Sequence, residues 1–154
     1  MVNNSSKIVV DSLEQAPLTF EGIETMTQRL DVGDYALMTE GVISNTRVER
    51  KSLSDLFSSF THNYDAEKAK IARAKEAGYR YIIAIETSCS EVRLGCRYWC
   101  NGRMNEVEKP GISQVRQMMT LCHRYGIEVH YFSGRDDMAF WVKEYLLAEL
   151  RKDK

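Results

Sequence analysis

The chain has 154 residues, 44% of them hydrophobic and 28% charged, with a formal net charge of −1. That length suits one domain, here 1–154, whose core needs no disulfide or metal staple. No apolar run reaches the roughly 18–20 residues of a membrane span, and no signal-peptide pattern opens the chain, so a cytoplasmic protein with no membrane partner is expected.

In chain order, KIVVD (7–11) reads as a short apolar strand ending in an acid. RLDVGDYALM (29–38) and VISNTRVERK (42–51) read as strands joined near Glu40 and Gly41. SLSDLFSSF then changes period: Leu53, Leu56, Phe57 and Phe60 fall on one helical face, with Ser52-x-x-Asp55 as a capping box. Residues 65–77 predict an Ala-rich helix stopped by Gly78, and RYIIAIE (80–86) a buried strand. VRLGCRYWC and RMNEV flank Asn101-Gly102, a type I′ hairpin signal. A helix from about Ser113 ends at Gly126, IEVHYF (127–132) is another strand, and 135–151 is a closing amphipathic helix. Strands alternating with helices after an opening hairpin predict a three-layer α/β/α fold with a central mixed β-sheet.

The near-zero net charge does not itself argue for a polyanionic partner, and its distribution is uneven. Residues 1–40 hold seven acidic side chains against two basic ones, Lys7 and Arg29. A nucleic-acid surface would therefore be a local patch.

The densest charge lies where a strand should enter a helix, at Glu49, Arg50, Lys51 and Asp55. Glu49 and Lys51 are two apart and leave the same face of a strand. With a turn centred on Gly41–Val42, Asp34 falls directly across from Glu49, with Cβ atoms about 5 Å apart, close enough to share one hard cation. Asp11, ending the first strand, offers a third acidic ligand, and Glu14 follows three residues later. Mg²⁺ takes oxygen ligands and keeps several waters, so two or three carboxylates suffice. A lysine beside such an ion suits phosphodiester hydrolysis.

Gly33-Asp34 followed by Glu49-Arg50-Lys51 and Asp55 resembles the GD…ERKx3D signature of XPF-type nucleases, a branch of the PD-(D/E)xK superfamily. VDSLEQAPLTF (10–20) is similar to the opening D-x-R-E-Q-x-P-L segment of that family. RYIIAIE, GRMN, RYGIEVHYF and the last helix resemble the remainder of compact stand-alone members. The resemblance implies a restriction-endonuclease-like fold and a Mg²⁺- or Mn²⁺-dependent DNA endonuclease acting on branched or junction DNA, in repair or recombination. It implies Asp34 and Glu49 as metal ligands and Lys51 as the catalytic lysine. Asp11, Glu14, Arg50 and Asp55 carry over as supporting residues. One position departs from the pattern: Leu13 stands where the family has arginine, removing a bidentate partner for phosphate or carboxylate. At this length no helix-hairpin-helix module like that of larger members is expected, and recognition of branched DNA is then expected from this domain, a homodimer or a partner protein.

Several of these residues have plainer readings. Asp55 serves equally as the acid of the capping box, Arg50 as the partner of an acid on the opposite face, and Glu86 as a strand-end charge. His62, His123 and His130 are expected to be ordinary histidines. Cys96-x3-Cys100, with Cys122 beside His123, lacks the CxxC spacing of structural zinc sites, so reduced, zinc-free thiols are expected. Read as a strand, VRLGCRYWC puts Arg93, Arg97 and Trp99 on one face, with Arg103 just past the turn. That face suits a grip on a nucleic-acid backbone with an unpaired base stacked on the indole. Two alternatives to the nuclease follow from the same residues. One is an inactive DNA-binding module, for which Leu13 is the hint, and the other is a protein-interaction subunit using the acidic first 40 residues.

Overall fold

The computed structural model describes residues 5–94, 96–100, 102–107 and 111–151, with side chains described except at 94, 96–100, 105–107, 111 and 112. The main sheet runs in the order β2-β1-β3-β5-β6-β9, with β4 paired to β3. Its members are β1 (Ser6–Asp11), β2 (Glu24–Gln28), β3 (Tyr35–Thr39), β4 (Val42–Ile43), β5 (Thr46–Lys51), β6 (Arg80–Ile85) and β9 (Glu128–Tyr131). β1 is antiparallel to β3 and β3 to β5, whereas β6 runs parallel to both β5 and β9. The expected mixed sheet is therefore present. Its helices are α1 (Leu53–Ser59), α2 (Tyr64–Glu76), α3 (Cys89–Leu94), α4 (Gly111–Tyr125) and α5 (Arg135–Leu147).

Strand alternation divides the core between two faces. Val48, Ile82 and Ala84 pack with Met138, Val142 and Leu146 of α5. Ile83 and Ile85 turn the other way and pack with Leu56 of α1 and Phe60 just past its end, Ile71 and Ala74 of α2, and Met118 and Leu121 of α4. β5 and β6, at the middle of the sheet, are thus covered on both sides, which is why RYIIAI is nearly continuous apolar sequence. Leu56, Phe57 and Phe60 are buried as their helical spacing predicts. Gly78, at φ 74, ends α2 in a conformation that costs glycine little.

Three expectations change. Residues 29–34, expected to open a strand over 29–38, are not strand, and β3 begins only at Tyr35. β2 is a polar edge strand parallel to β1, with only Met26 half-buried, so it carries no periodic apolar signal. The segment VRL is not strand but the end of α3, and Val92 is buried against the helical layer. A separate hairpin follows, β7 (Cys96–Cys100) and β8 (Arg103–Val107), with Cys100 paired to Arg103 and Gly102 in a turn before β8; Asn101 of the expected Asn-Gly turn lies outside the described residues.

Candidate active site

The site begins with a register. β3 and β4 pair Met38 with Ile43 and Thr39 with Val42, across a turn at Glu40 and Gly41 that both take positive φ. Farther along, Tyr35 pairs with Val48. The expected register therefore holds at the site, although the turn lies one residue earlier than expected. Two extra residues on the returning strand, around Ser44 and Asn45, make up the difference. Gly33 lets the chain close onto β5. At φ 83, a Cβ there would meet Arg47 Cβ at 3.1 Å and the Val48 carbonyl at 3.4 Å. The Asp34 amide then donates to the Val48 carbonyl at 2.8 Å, and Asp34 Oδ2 accepts from the Arg50 amide at 2.8 Å.

Asp34, Glu49, Lys51 and Asp55 line one cleft of about 490 Å³ with Glu67 and Lys70 of α2. Burial, and then the neighbouring charge of Glu49, push the Asp34 carboxyl up to about 8. Two carboxylates this close favour a cation between them. Lys51 is buried, and its ammonium donates to Ser59 Oγ at 2.8 Å. It also lies 3.1 Å from Glu67 Oε1, an ion pair without hydrogen-bond alignment, and 3.9 Å from Glu49 Oε1. Lys70 donates to Glu49 Oε1 at 2.6 Å and lies 3.4 Å from Glu67 Oε2. Burial lowers the Lys70 ammonium, but Glu49 and Glu67 outweigh it, and the net displacement is upward.

Arg50 and Glu14 also line the cleft, and Arg50 is fully engaged. Its Nη2 and Nε donate to the two oxygens of Glu14 at 2.8 and 3.1 Å, and its Nη1 donates to Glu86 at 2.6 Å. Burial raises the Glu14 carboxyl, yet Arg50 and the Ala16 amide more than compensate, leaving it below its ordinary value. The Glu14 hydrogen bonds and ion pairs raise the Arg50 guanidinium further. Arg135, at the start of α5, holds both Glu86 oxygens at 3.0 and 3.2 Å and donates to the Ala16 and Pro17 carbonyls. Arg50 and Glu14 thus brace the walls around Asp34, which is the plainer reading of Arg50.

Asp55 performs its capping-box role. It accepts from the Ser52 amide, and its own amide donates to Ser52 Oγ, while the residue still lines the cleft. Asp11 corrects the expected ligand set. Its buried carboxylate accepts from Arg29 at 2.8 and 2.9 Å and from the Leu30 amide at 2.7 Å, and it does not line the cleft. It therefore locks the approach to β3, because its oxygens are already claimed by a guanidinium and an amide. Leu13 lines the cleft and is 66% exposed, so its apolar side chain stands at the rim.

The expected DNA-binding set is not one strand face. Arg93 is exposed on α3, and Arg103 is exposed on β8. Arg97 and Trp99 lie on β7, but their side chains fall outside the described residues. Cys122 is buried on the core face of α4, and burial pushes its thiol up to about 11. Glu67, Lys70 and Arg135 were not among the residues expected around the carboxylates. The first two sit three apart on α2, a spacing that marks helical neighbours but not a cleft.

A hard divalent cation fits the donor set present. Asp34 and Glu49 supply carboxylate oxygens, and the upward displacement of Asp34, caused first by burial and then by the charge of Glu49, marks an ionised form that a hard cation would stabilise. Among the described residues, no three acidic, histidine or cysteine side chains converge, so those two carboxylates would hold the ion.

No curated protein sequence matches the chain. Among solved structures, XPF from Aeropyrum pernix aligns with a TM-score of 0.68 and 21% identity, over 95% of this chain and 66% of that one. The same protein in complex with DNA aligns at 0.63 and 22% identity, over 96% and 68%. The chain thus spans about two thirds of the length of either. The ERCC4-domain family model matches residues 4–145, a span that includes the whole of the cleft, and the chain belongs to the ERCC4-domain family, with the fold of XPF.

Proposed function

We propose that the chain is a divalent-cation-dependent DNA endonuclease that hydrolyses phosphodiester bonds in branched or single-strand/duplex junction DNA. The observation that carries this reading is the meeting of Asp34 and Glu49 from adjacent strands, with Lys51 fixed beside them in an open cleft. The A. pernix XPF solved in complex with DNA supports DNA as the polyanion.

In this reading Asp34 and Glu49 hold Mg²⁺ or Mn²⁺, which when bound polarises the phosphate and lowers the pKa of a coordinated water. Lys51, held by Ser59 and Glu67, keeps its ammonium in the lining of the cleft, 3.9 Å from Glu49 Oε1. There it orients the attacking oxygen and offsets negative charge growing on the non-bridging phosphate oxygens. Asp34 stays in place because Gly33 and the Arg50 amide fix its backbone and one carboxylate oxygen.

Leu13, exposed at the rim where an arginine would reach phosphate, favours a second reading, a domain that binds DNA without cutting it. Flap, fork, Holliday-junction and single-stranded DNA, each incubated with Mg²⁺ or Mn²⁺ and with EDTA controls, separate the two. Cation-dependent cleavage lost in Glu49→Gln supports the nuclease. Salt-sensitive binding without cleavage supports the binding module.

A further inference from the structure

The two ammonium groups of the cleft are not equivalent. Lys51 is the enclosed one, its side chain 4% exposed, and it rests on Ser59 Oγ and Glu67 Oε1. Lys70 is 28% exposed and comes from a helix rather than from the strand that carries Glu49. Yet Lys70 is the cation nearer Glu49 Oε1, at 2.6 Å against 3.9 Å for Lys51. Glu49 is therefore balanced by a solvent-reachable side chain, while the lysine two residues away on its own strand is committed elsewhere.

A carboxylate oxygen held by an ammonium at 2.6 Å cannot take a divalent cation without bringing like charges together, in a site where burial strengthens their repulsion. Lys70 also has a second acceptor. Glu67, one turn before it on α2 and itself buried, lies 3.4 Å from the same ammonium. Leaving Glu49 would not strand the charge of Lys70. A DNA phosphate entering the cleft offers it a third, anionic partner.

We propose that Lys70 is a positioning residue: a tethered counter-ion, anchored by Glu67, that holds Glu49 until DNA phosphate draws it away, so that DNA binding and divalent-cation binding reinforce each other. This rests on the nuclease reading above and adds how its cleft is loaded. Because coupling between two ligands is reciprocal, the cation must tighten DNA by the factor by which DNA tightens the cation.

The test is a titration of the full chain with Mn²⁺, followed by the electron paramagnetic resonance signal of the free ion. It is run with and without a phosphorothioate-backbone duplex and corrected for the duplex alone. Lys70→Met keeps the stem and removes the charge, and it should tighten Mn²⁺ about tenfold without DNA, because no ammonium has to be displaced. Lys68→Met, a neutralisation on the same helix, should leave Mn²⁺ affinity near that of the parent. DNA should tighten Mn²⁺ in the parent and do so much less in Lys70→Met. Equal affinity in parent and Lys70→Met, with Glu49→Gln still weakening binding, overturns the proposal alone. So does an equal effect from Lys68→Met, or a DNA effect unchanged by Lys70→Met. Mn²⁺ binding indifferent to Glu49→Gln in both backgrounds overturns the cation site of the nuclease reading as well, and the proposal with it.

Discussion

Lys51 Nζ stands 3.9 Å from Glu49 Oε1, although the two residues leave the same face of β5 only two positions apart. The lysine is drawn toward Ser59 and Glu67 instead, so its ammonium is held from the helical side of the cleft. Glu49→Gln and Lys51→Met should each lower cleavage by at least about 10²-fold, the usual loss when a preorganised charge is removed from a transition state. They should differ in stability. Lys51→Met strips a buried Glu67 of one of its two lysines, and urea unfolding should show a loss below the about 3–5 kcal/mol of a fully orphaned buried charge. Glu49→Gln should unfold close to the parent. Full activity in Glu49→Gln would remove the site assignment.

The Asp34 carboxyl, raised to about 8 by burial and by Glu49, predicts an unusual pH dependence of stability without divalent cations. Between its ordinary value of about 4 and about 8, the folded state keeps a proton that the unfolded state has lost. Stability should then fall as pH rises through that window, because the native state binds more protons. Glu14 works the opposite way but in a lower range, since its folded value lies below its ordinary one and its contribution is lost only on acidification. Thermal unfolding in EDTA from pH 5 to 8.5 should show the decline, and Asp34→Asn should flatten it. Added Mn²⁺ should stabilise the parent most at the alkaline end, where no proton competes for Asp34.

The parts of this fold that the sequence showed are those governed by short-range rules. The facing of Asp34 and Glu49 was visible because strand alternation is strict. The turn itself lies at Glu40–Gly41, and the extra residues near Ser44 restored the register without any local signal. The helix α3 was hidden because VRLGCRYWC alternates like a strand up to Gly95. The signal that went unread is Ser88-x-x-Glu91, where the Glu91 amide donates to Ser88 Oγ at 3.1 Å. Asp11 looked like a ligand because it ends an apolar strand. What decides otherwise is Arg29, brought to it by the unforeseen edge strand β2. Lys70 and Arg135 reach the site from helices far along the chain, and such tertiary approach leaves no pattern in the sequence around either residue.

The capping box at the start of α1 is reciprocal, with Ser52 and Asp55 each serving the other's amide. Asp55→Ala and Ser52→Ala should each cost about 1 kcal/mol. The double variant should cost clearly less than the sum, because the first change already breaks the shared motif. Chemical denaturation of the four proteins measures this directly. If Asp55→Ala instead abolishes cleavage with unchanged stability, its place in the cleft outweighs its place in the cap.

Arg50 bridges two carboxylates, Glu14 and Glu86, and the latter is shared with Arg135. Replacing Arg50 by Ala leaves Glu14 buried and without its bidentate partner, so a loss of about 3–5 kcal/mol is expected. Arg135→Ala should be milder, since its pair with Glu86 is half-exposed and Arg50 remains on that carboxylate. A near-neutral Arg50→Ala in a denaturant titration would mean that the loop after β1 repacks around Glu14.

The last expectation concerns how DNA is gripped outside the cleft. The β7–β8 hairpin approaches α1, whose own N-terminus opens on the cleft, and it carries Arg97, Trp99 and Arg103. Arg93 sits apart on α3, so the two groups can be tested independently. Charge reversal of Arg97 or Arg103 should weaken binding of every DNA substrate and lower the salt slope by about 0.9 for each duplex phosphate no longer neutralised. Arg93→Glu should leave that slope closer to the parent's if the hairpin alone holds the backbone. Trp99→Ala should harm single-stranded and junction substrates more than plain duplex, because only an unpaired base can stack on the indole. Fluorescence anisotropy across a salt series reads all four variants. Parent-like affinity in the Arg97, Trp99 and Arg103 variants would make the hairpin a scaffold and shift the grip to the cleft itself.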